Sequence, residues 1–463
     1  MTSPLTVKGS ERFKVKGLHG KISLPSDKSI THRAILLAAI SSGESVIRAR
    51  EIGRDNLRTL KIIEQLGAKC TARFPAAGLA LAREEGIESA TLAPDNFVEL
   101  RIIGQGLTGL RESAADLYCG NSGTTARLLL GVLSGCPFRS TLTGDPSLSR
   151  RPFARLTTVL RKMGAQFSAD TLPLTVNGGE LSGIEFHSPV ASAQLKSAVL
   201  LAGLSSRDAT SVHEPHRSRD HTERMLVAMG VSLVEQSTIQ GWRVSLPMTS
   251  APRTLRPLQL TIPGDFSAAA FIIVAATIIA GSDVEIEDVG MNETRSALLA
   301  ILRRMGAEIE TANIRHVGGE TVGSIRVRSA KLHGTTVTAA EVAATIDELP
   351  ILSVAASVAS GSTEILQAGE LRLKESDRLT GMRDLLRRYG ASAELRGDDL
   401  IVTRGTPASK APGELANFPL DHRMVMTQAI LELFHHGSLA VSDTAAVETS
   451  FPSFVECFRQ LIG

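Results

Sequence analysis

One pattern recurs six times along this 463-residue chain, and it leaves few architectures open. A helix of small apolar residues runs into a Ser/Gly turn and a β-rich stretch, in RAILLAAISSGESVI, ARLLLGVLSGCPFRSTL, SAVLLAGLSSRDATSV, AFIIVAATIIAGSDVEI, LPILSVAASVASGSTEI and MVMTQAILELFHHGSLAV. Between these lie amphipathic helices that end on glycine, in TLKIIEQLGAKC, LTTVLRKMGAQF, TERMLVAMGVSL, ALLAILRRMGAEIE and MRDLLRRYGASAE, with FVECFRQLIG as the sixth. Gly67, Gly164, Gly230, Gly306 and Gly390 stand where a helix C-terminus calls for a left-handed residue. Helices of the first kind are apolar all round and must be buried, whereas those of the second keep a charged face for solvent. Strands between them are expected to cover the buried helices.

Six units divide naturally into three and three, and the length suits two domains rather than one. The stretch Trp242 to Leu260, WRVSLPMTSAPRTLRPLQL, carries three prolines and is the expected crossing point. A second crossing near Gly20 would let the N-terminal strand pair with the C-terminal half. The predicted fold is therefore α/β (α+β), with one three-repeat domain over 21–257, a second over 1–20 and 258–463, and a hinge near 20 and 257.

Composition narrows the function. A net charge of +2 gives no general attraction to a polyanion or an anionic membrane, and 4% aromatic residues offer few platforms for stacking bases. The longest apolar run, Phe271 to Ala280, is too short to span a bilayer. MTSPLTVKGSERFKVKG has no signal-peptide core, and Cys70, Cys119, Cys136 and Cys457 show neither CxxC nor zinc-ligand spacing. The expectation is a cytoplasmic protein with no nucleic-acid or membrane partner and no metal.

The residues just before the six apolar helices carry the functional signal. They are PSDKSITHR, GNSGTTAR, SAQLK, PGDFS, IDELP and LDHRM, all polar and mostly small. A helix start offers unpaired N–H groups and partial positive charge, so it takes phosphate or carboxylate without a basic protein around it. Plain N-capping accounts for the Ser, Asp and Asn residues, and for PGDFS it suffices. It does not account for Lys28, Arg33 and Arg127, nor for the cations in SLSRRPF, EPHRSRDHTER and RLKESDR. Two other glycine or lysine patterns fail in context: IGQGLTG is followed by no apolar helix, and PSDKS lacks the glycines of a phosphate loop.

Taken together, PSDKSITHR, GNSGTTARLLLG, GDPSLSRRPF, SAQLKSAVLLAGL, EPHRSRDHTERM, IPGDFSAAAF, NETR, LRLKESDRL and DHRMVM resemble the EPSP synthase (3-phosphoshikimate 1-carboxyvinyltransferase) family over nearly the whole chain. The resemblance implies two domains of three βαβαββ units around buried parallel helices, the inverse α/β prism, closing on each other as substrates bind. It implies transfer of the enolpyruvyl group of phosphoenolpyruvate to the 5-hydroxyl of shikimate 3-phosphate, with loss of phosphate and no cofactor or metal, by a monomer. Shikimate 3-phosphate would meet Lys28, Ser29, Arg33, Ser192, Ala193, Gln194, Arg219, Asp347 and Lys374. Phosphoenolpyruvate would meet Lys28, Gly123, Arg151, Gln194, Arg378 and Arg423. Asp347 would take the hydroxyl proton and Glu375 would protonate the methylene, with Lys28 and Lys374 neutralising developing charge.

Departures from the family pattern fall at Ser26, where many members have glycine, and at Thr449, where some have lysine. Gly123 is the small residue usual in glyphosate-sensitive members. The rival readings are the sister transferase acting on UDP-N-acetylglucosamine, whose lysine-asparagine pair is replaced here by Lys28 and Ser29, and a non-catalytic anion-binding relative.

Overall fold

The computed structural model describes residues 15–405 and 415–462. Most of the N-terminal stretch read above, part of the second domain's 1–20 segment and the final Gly463 lie outside the described residues.

All six apolar stretches form helices, Lys28–Ala39, Gly123–Ser134, Ala193–Gly203, Phe266–Ile278, Leu349–Val358 and His422–His436. In the Phe266 helix every residue through Thr277 is buried, as its uniformly apolar circumference requires. Each fully buried Leu, Ile or Phe in such a helix contributes about 1.5–3 kcal/mol relative to exposure. The amphipathic helices Arg54–Gln65, Ala154–Met163, His221–Ala228, Ala297–Arg304, Arg378–Arg388 and Phe454–Ile462 lie outside them. Their five described capping glycines have φ between +87° and +121°, a conformation that a Cβ makes costly.

Five sheets share one four-strand pattern among the described residues, and one of them adds Ala90–Leu92 parallel to Lys69–Phe74 at its edge. In the unit around the Gly123 helix, strand Leu117–Tyr118 runs parallel to Arg139–Thr143, which pairs antiparallel with Leu174–Asn177, itself antiparallel to Gln166–Phe167. The sixth unit departs from expectation. Residues 438–441 after the His422 helix form no strand, because the chain goes on into helices Thr444–Glu448 and Phe454–Ile462 and supplies no following hairpin.

The two crossings exchange strands between halves. His19–Ser23 runs parallel to Asp283–Gly290, as expected of a crossing near Gly20, and Gln259–Thr261 runs parallel to Ser42–Ala49. One apolar core takes its residues from Ile30 to Ile262; the other takes Leu18, Ile22 and Leu24 together with Phe266 to Leu461. The chain thus changes core between Leu24 and Ile30 and again between Ile262 and Phe266.

Those two passages are tied together. Asp27 N–H donates to the Pro263 carbonyl at 2.8 Å and Asp265 N–H to the Pro25 carbonyl at 2.9 Å. Arg295, from the NETR motif, binds both cap carboxylates, Asp27 and Asp265. Ser26 donates its hydroxyl to the Ile262 carbonyl at 3.2 Å and accepts Arg50 N–H at 2.9 Å, contacts a glycine there could not make.

Candidate active site

Five of the six helix starts line one cavity of about 190 Å³. The sixth, PGDFS, stands behind it: Asp265 caps its own helix through Ser267 N–H at 2.7 Å and accepts Lys28 N–H at 3.0 Å. Side-chain capping is done by Asp27, Ser122, Ser192 and Asp421, each accepting an N–H two or three residues on. The cations beside them are therefore free of that duty. Every residue proposed from the sequence for substrate contact or proton transfer lines the cavity except Arg378.

The first half presents cations. Lys28 Nζ meets Asp55 at 2.6 Å, and Arg151 bonds Asn121 and, at 3.2 Å, the Ser147 hydroxyl. Gly123 is where the backbone must pass close to this cluster: a Cβ there would lie 2.6 Å from Arg127 Nη1 and 3.2 Å from Arg151 Nη1. Burial pushes Arg127 down to about 10, and Arg151 adds to the push. Arg33 is also pushed down to about 10 by burial, and its donors go to Thr222, the Ser29 carbonyl and Ser197, so it frames the cavity wall. Gln194 donates to Thr124 at 2.8 Å. Three cations from these first-half motifs stay outside: Arg150 donates to the Pro146 carbonyl, Arg217 lies over the Trp242 ring and pairs with Glu293, and Arg224 pairs with Asp220 at 2.8 Å.

A buried triad fixes two of these segments. Glu214 accepts Ser192 N–H at 2.9 Å and the Ser218 hydroxyl at 2.7 Å, and it pairs with Lys196 at 3.0 Å. Lys196 also meets Glu223 at 2.8 Å. Burial would lower Lys196, but Glu223 and Glu214 outweigh it and keep the ammonium charged. The Ser192 start and the loop bearing Arg219 are thereby held to one anchor.

The second half presents carboxylates. Asp347 sits in the break between helices Ala339–Thr345 and Leu349–Val358, where Pro350 in the first turn suits a new helix start. Burial would raise its carboxyl, but Arg423, Lys374, Arg219 and Arg378 hold it well below the usual range. Glu375 lies in the loop before the Arg378 helix, not on a helix turn, and pairs with Arg378 at 2.6 Å. Burial pushes it up too, and the charges of Arg378, Arg151 and Lys374 bring it well below the ordinary value. Arg378 is fully buried between Glu375 and Asp421, the latter at 3.0 Å, so it reaches the cavity only through the carboxylates it holds. His422 is kept neutral by burial and by Lys28 and Arg423.

The halves meet across the cavity. Arg219 pairs with Asp347 at 2.8 Å, Arg151 stands 3.7 Å from Glu375, and the Ser147 hydroxyl donates to the Glu375 carbonyl. At the mouth Arg155 Nη1 donates to both carboxylate oxygens of Glu370, at 2.9 and 3.0 Å. Arg219 Nη2 and Arg378 Nη1 are buried without a hydrogen-bond partner among the described residues.

Asp55, Asn121, His422, Glu214 and Asp421 were not singled out by the sequence. Asp27 and Asp421 share a cap position before a buried helix, a signal that was available; Asp55 sits on an amphipathic helix with nothing local to mark it. Thr449, where some family members have lysine, is buried, donates to the Ala446 carbonyl and packs on Gly53, outside the lining residues.

Two similar halves of repeated βαβαββ units, facing each other over a cation-lined cleft with two partly buried carboxylates, define an inverse α/β prism transferase. Known proteins narrow this further. The family model described as EPSP synthase (3-phosphoshikimate 1-carboxyvinyltransferase) matches residues 13–458. A 3-phosphoshikimate 1-carboxyvinyltransferase of Desulforamulus reducens is 43% identical over 97% of this chain and 98% of its own. One of Gluconobacter oxydans is 41% identical over 100% and 98%. An EPSP synthase structure from Acinetobacter baumannii is 36% identical, covers 96% of each chain and superposes with a TM-score of 0.75. The chain belongs to the EPSP synthase family.

Proposed function

We propose that this cleft transfers the enolpyruvyl group of phosphoenolpyruvate to the 5-hydroxyl of shikimate 3-phosphate, by addition and then elimination of phosphate. Each substrate brings a phosphate and a carboxylate, so four anionic groups must be held together, and the first-half cations suit them. The observation that carries the reading is the approach of Arg219 to Asp347 and of Arg151 to Glu375 across the cleft. Cations from one half stand on the proton-transfer groups of the other.

That arrangement explains how two strongly ionised carboxylates can do acid and base work. Incoming anions compete for Arg219, Arg423 and Arg151, and each cation withdrawn from Asp347 or Glu375 raises its proton affinity toward a useful range. Asp347 then accepts the proton of the 5-hydroxyl while Glu375 delivers one to the methylene carbon. In elimination Glu375 takes a proton back from the methyl carbon as the carbon–oxygen bond to phosphate breaks, and Asp347 gives its proton to the departing phosphate. Lys28, Ser29, Arg33, Ser192, Ala193, Gln194, Arg219 and Lys374 belong to the shikimate 3-phosphate side. Gly123, Arg151, Gln194, Arg378 and Arg423, with Lys28 shared, belong to the phosphoenolpyruvate side, with Arg378 acting through Glu375 and Asp421.

The halves close about residues 25–27 and 263–265, a few residues beyond the hinge expected near 20 and 257 because the chain changes core there, and scattering that gave no compaction with both substrates would contradict this. The cleft lies between the two halves of one chain, which supports reading the monomer as the working unit. Four unpaired cysteines suit a reducing cytoplasm. The deciding assay is phosphate release from phosphoenolpyruvate with shikimate 3-phosphate and, separately, with UDP-N-acetylglucosamine. Turnover is expected with the first alone; none with the first overturns the reading.

No described helix is long and apolar enough to cross a membrane.

A further inference from the structure

A second cluster of donor atoms lies on the sheet that covers the Ala193 helix, and none of its residues lines the cleft. Strand Glu185–His187 runs parallel to Thr210–Glu214, with His187 in register opposite His213. Alternation puts Glu185 and His187 on one face, and both are exposed. The two imidazoles lie side by side, with centroids 4.2 Å apart and planes 14° from parallel. Glu185 Oε1 stands 3.6 Å from His187 Nε2 and 3.1 Å from His213 Nε2. His213 Nε2 is covered yet makes no well-directed hydrogen bond to any described residue.

Donor atoms of all three residues lie within 4.8 Å of one another, spacings that a four-coordinate ion can span. Bonds of about 2.0–2.2 Å at tetrahedral angles set ligand atoms roughly 3.3–3.5 Å apart, midway between the two observed separations. The exposed His187 ring can turn about its soft outer torsion, which convergence of the two stacked rings on one ion requires. Two imidazoles with one carboxylate suit first-row transition ions rather than calcium or magnesium. Stacking and ion pairing with Glu185 account for the ring contact and the shared oxygen, but they leave the covered His213 Nε2 without a hydrogen-bond partner among the described residues, and a bound ion would occupy it.

We propose that Glu185, His187 and His213 form a surface site for a divalent transition ion of the zinc, cobalt or nickel class. The ion braces strand Glu185–His187 against Thr210–Glu214, and its remaining position faces solvent. Arg243, register partner of His213 on its other side, sets a positive charge beside the ion and weakens its hold.

The test uses the full chain after chelator treatment, titrated with zinc chloride by calorimetry and with cobalt chloride by visible absorption. A single zinc ion per chain is expected, with affinity lost at least tenfold in His187→Ala and in His213→Ala and raised in Arg243→Ala. Turnover of the metal-free variants should match that of the parent, because none of these residues touches the cleft. Absence of saturable binding overturns the site. So does binding that persists in the double variant His187→Ala/His213→Ala, or an intense sulfur-to-cobalt band, which would put the ion on a cysteine.

Discussion

The two walls of the cleft are built from the same repeat, yet they carry opposite chemistry. On the first wall, Lys28, Arg127, Arg151 and Arg219 point at the cavity, and Asp55 is the only first-half carboxylate among its lining residues. On the second, Asp347 and Glu375 are each enclosed by several cations, and Arg378 is fully buried to hold them. One wall is organised to receive anions and the other to keep two carboxylates ionised until anions arrive. Division of labour between copies of one unit thus lies in the few residues before each buried helix, not in the fold of the unit.

The sharpest way to break this comparison is to neutralise a carboxylate without changing its shape. Glu375→Gln should lower turnover by roughly two or more orders of magnitude while leaving the Michaelis constants nearly intact. Steady-state phosphate release measures both, and unchanged turnover would remove Glu375 from the proton path.

Removing the cation that anchors the second wall should look different. Arg378→Ala leaves Asp421 buried and unpaired, so it should cost about 3–5 kcal/mol of stability as well as weaken phosphoenolpyruvate binding. Denaturant unfolding beside kinetics separates the two effects. Full stability in this variant would show that the wall does not rest on Arg378.

On the first wall, Glu214→Gln tests whether the buried triad positions the shikimate 3-phosphate segments. The lost charge-assisted bonds should raise the Michaelis constant for shikimate 3-phosphate about tenfold and that for phosphoenolpyruvate much less. A merely structural role would raise both equally, and Glu214→Asp should restore part of the selective loss.

Acid should distinguish the walls as well. Asp347 and Glu375 have folded-state pKa values depressed below the unfolded ones. Their contribution to stability is therefore complete above the ordinary carboxylate pKa of about 4 and is lost as pH falls below it. Melting temperature followed downward from neutral pH should drop in that range, and the drop should be shallower in Glu375→Gln.

Much of this was legible in the sequence because it is periodic. Helix type, glycine caps and the crossing near Gly20 follow from local pattern, and the capped starts follow from Ser and Asp placement. What escaped was long-range. Asp55 reaches Lys28 only after two helices pack, Glu214 finds Lys196 and Ser192 only through a sheet, and Arg295 joins two caps more than two hundred residues apart. The strand expected after the His422 helix failed for a related reason, since an alternating run without a hairpin to pair with does not become a strand.

The smallest expected effect concerns how the walls are brought together. Arg155 and Glu370 join across the cavity mouth but are 49% and 39% exposed, so their pairing contributes no more than about 1 kcal/mol, equivalent to roughly fivefold in binding. Arg155→Ala and Glu370→Ala should each raise both Michaelis constants by no more than that and leave the maximal rate alone. A double-mutant cycle should give a coupling that disappears at about 1 M salt, where charges are screened beyond about 3 Å. A tenfold fall in maximal rate would instead mean that holding the mouth closed limits turnover. The division between a binding wall and a chemical wall would then be incomplete, because a contact far from the reacting carbons would govern the step assigned to Asp347 and Glu375.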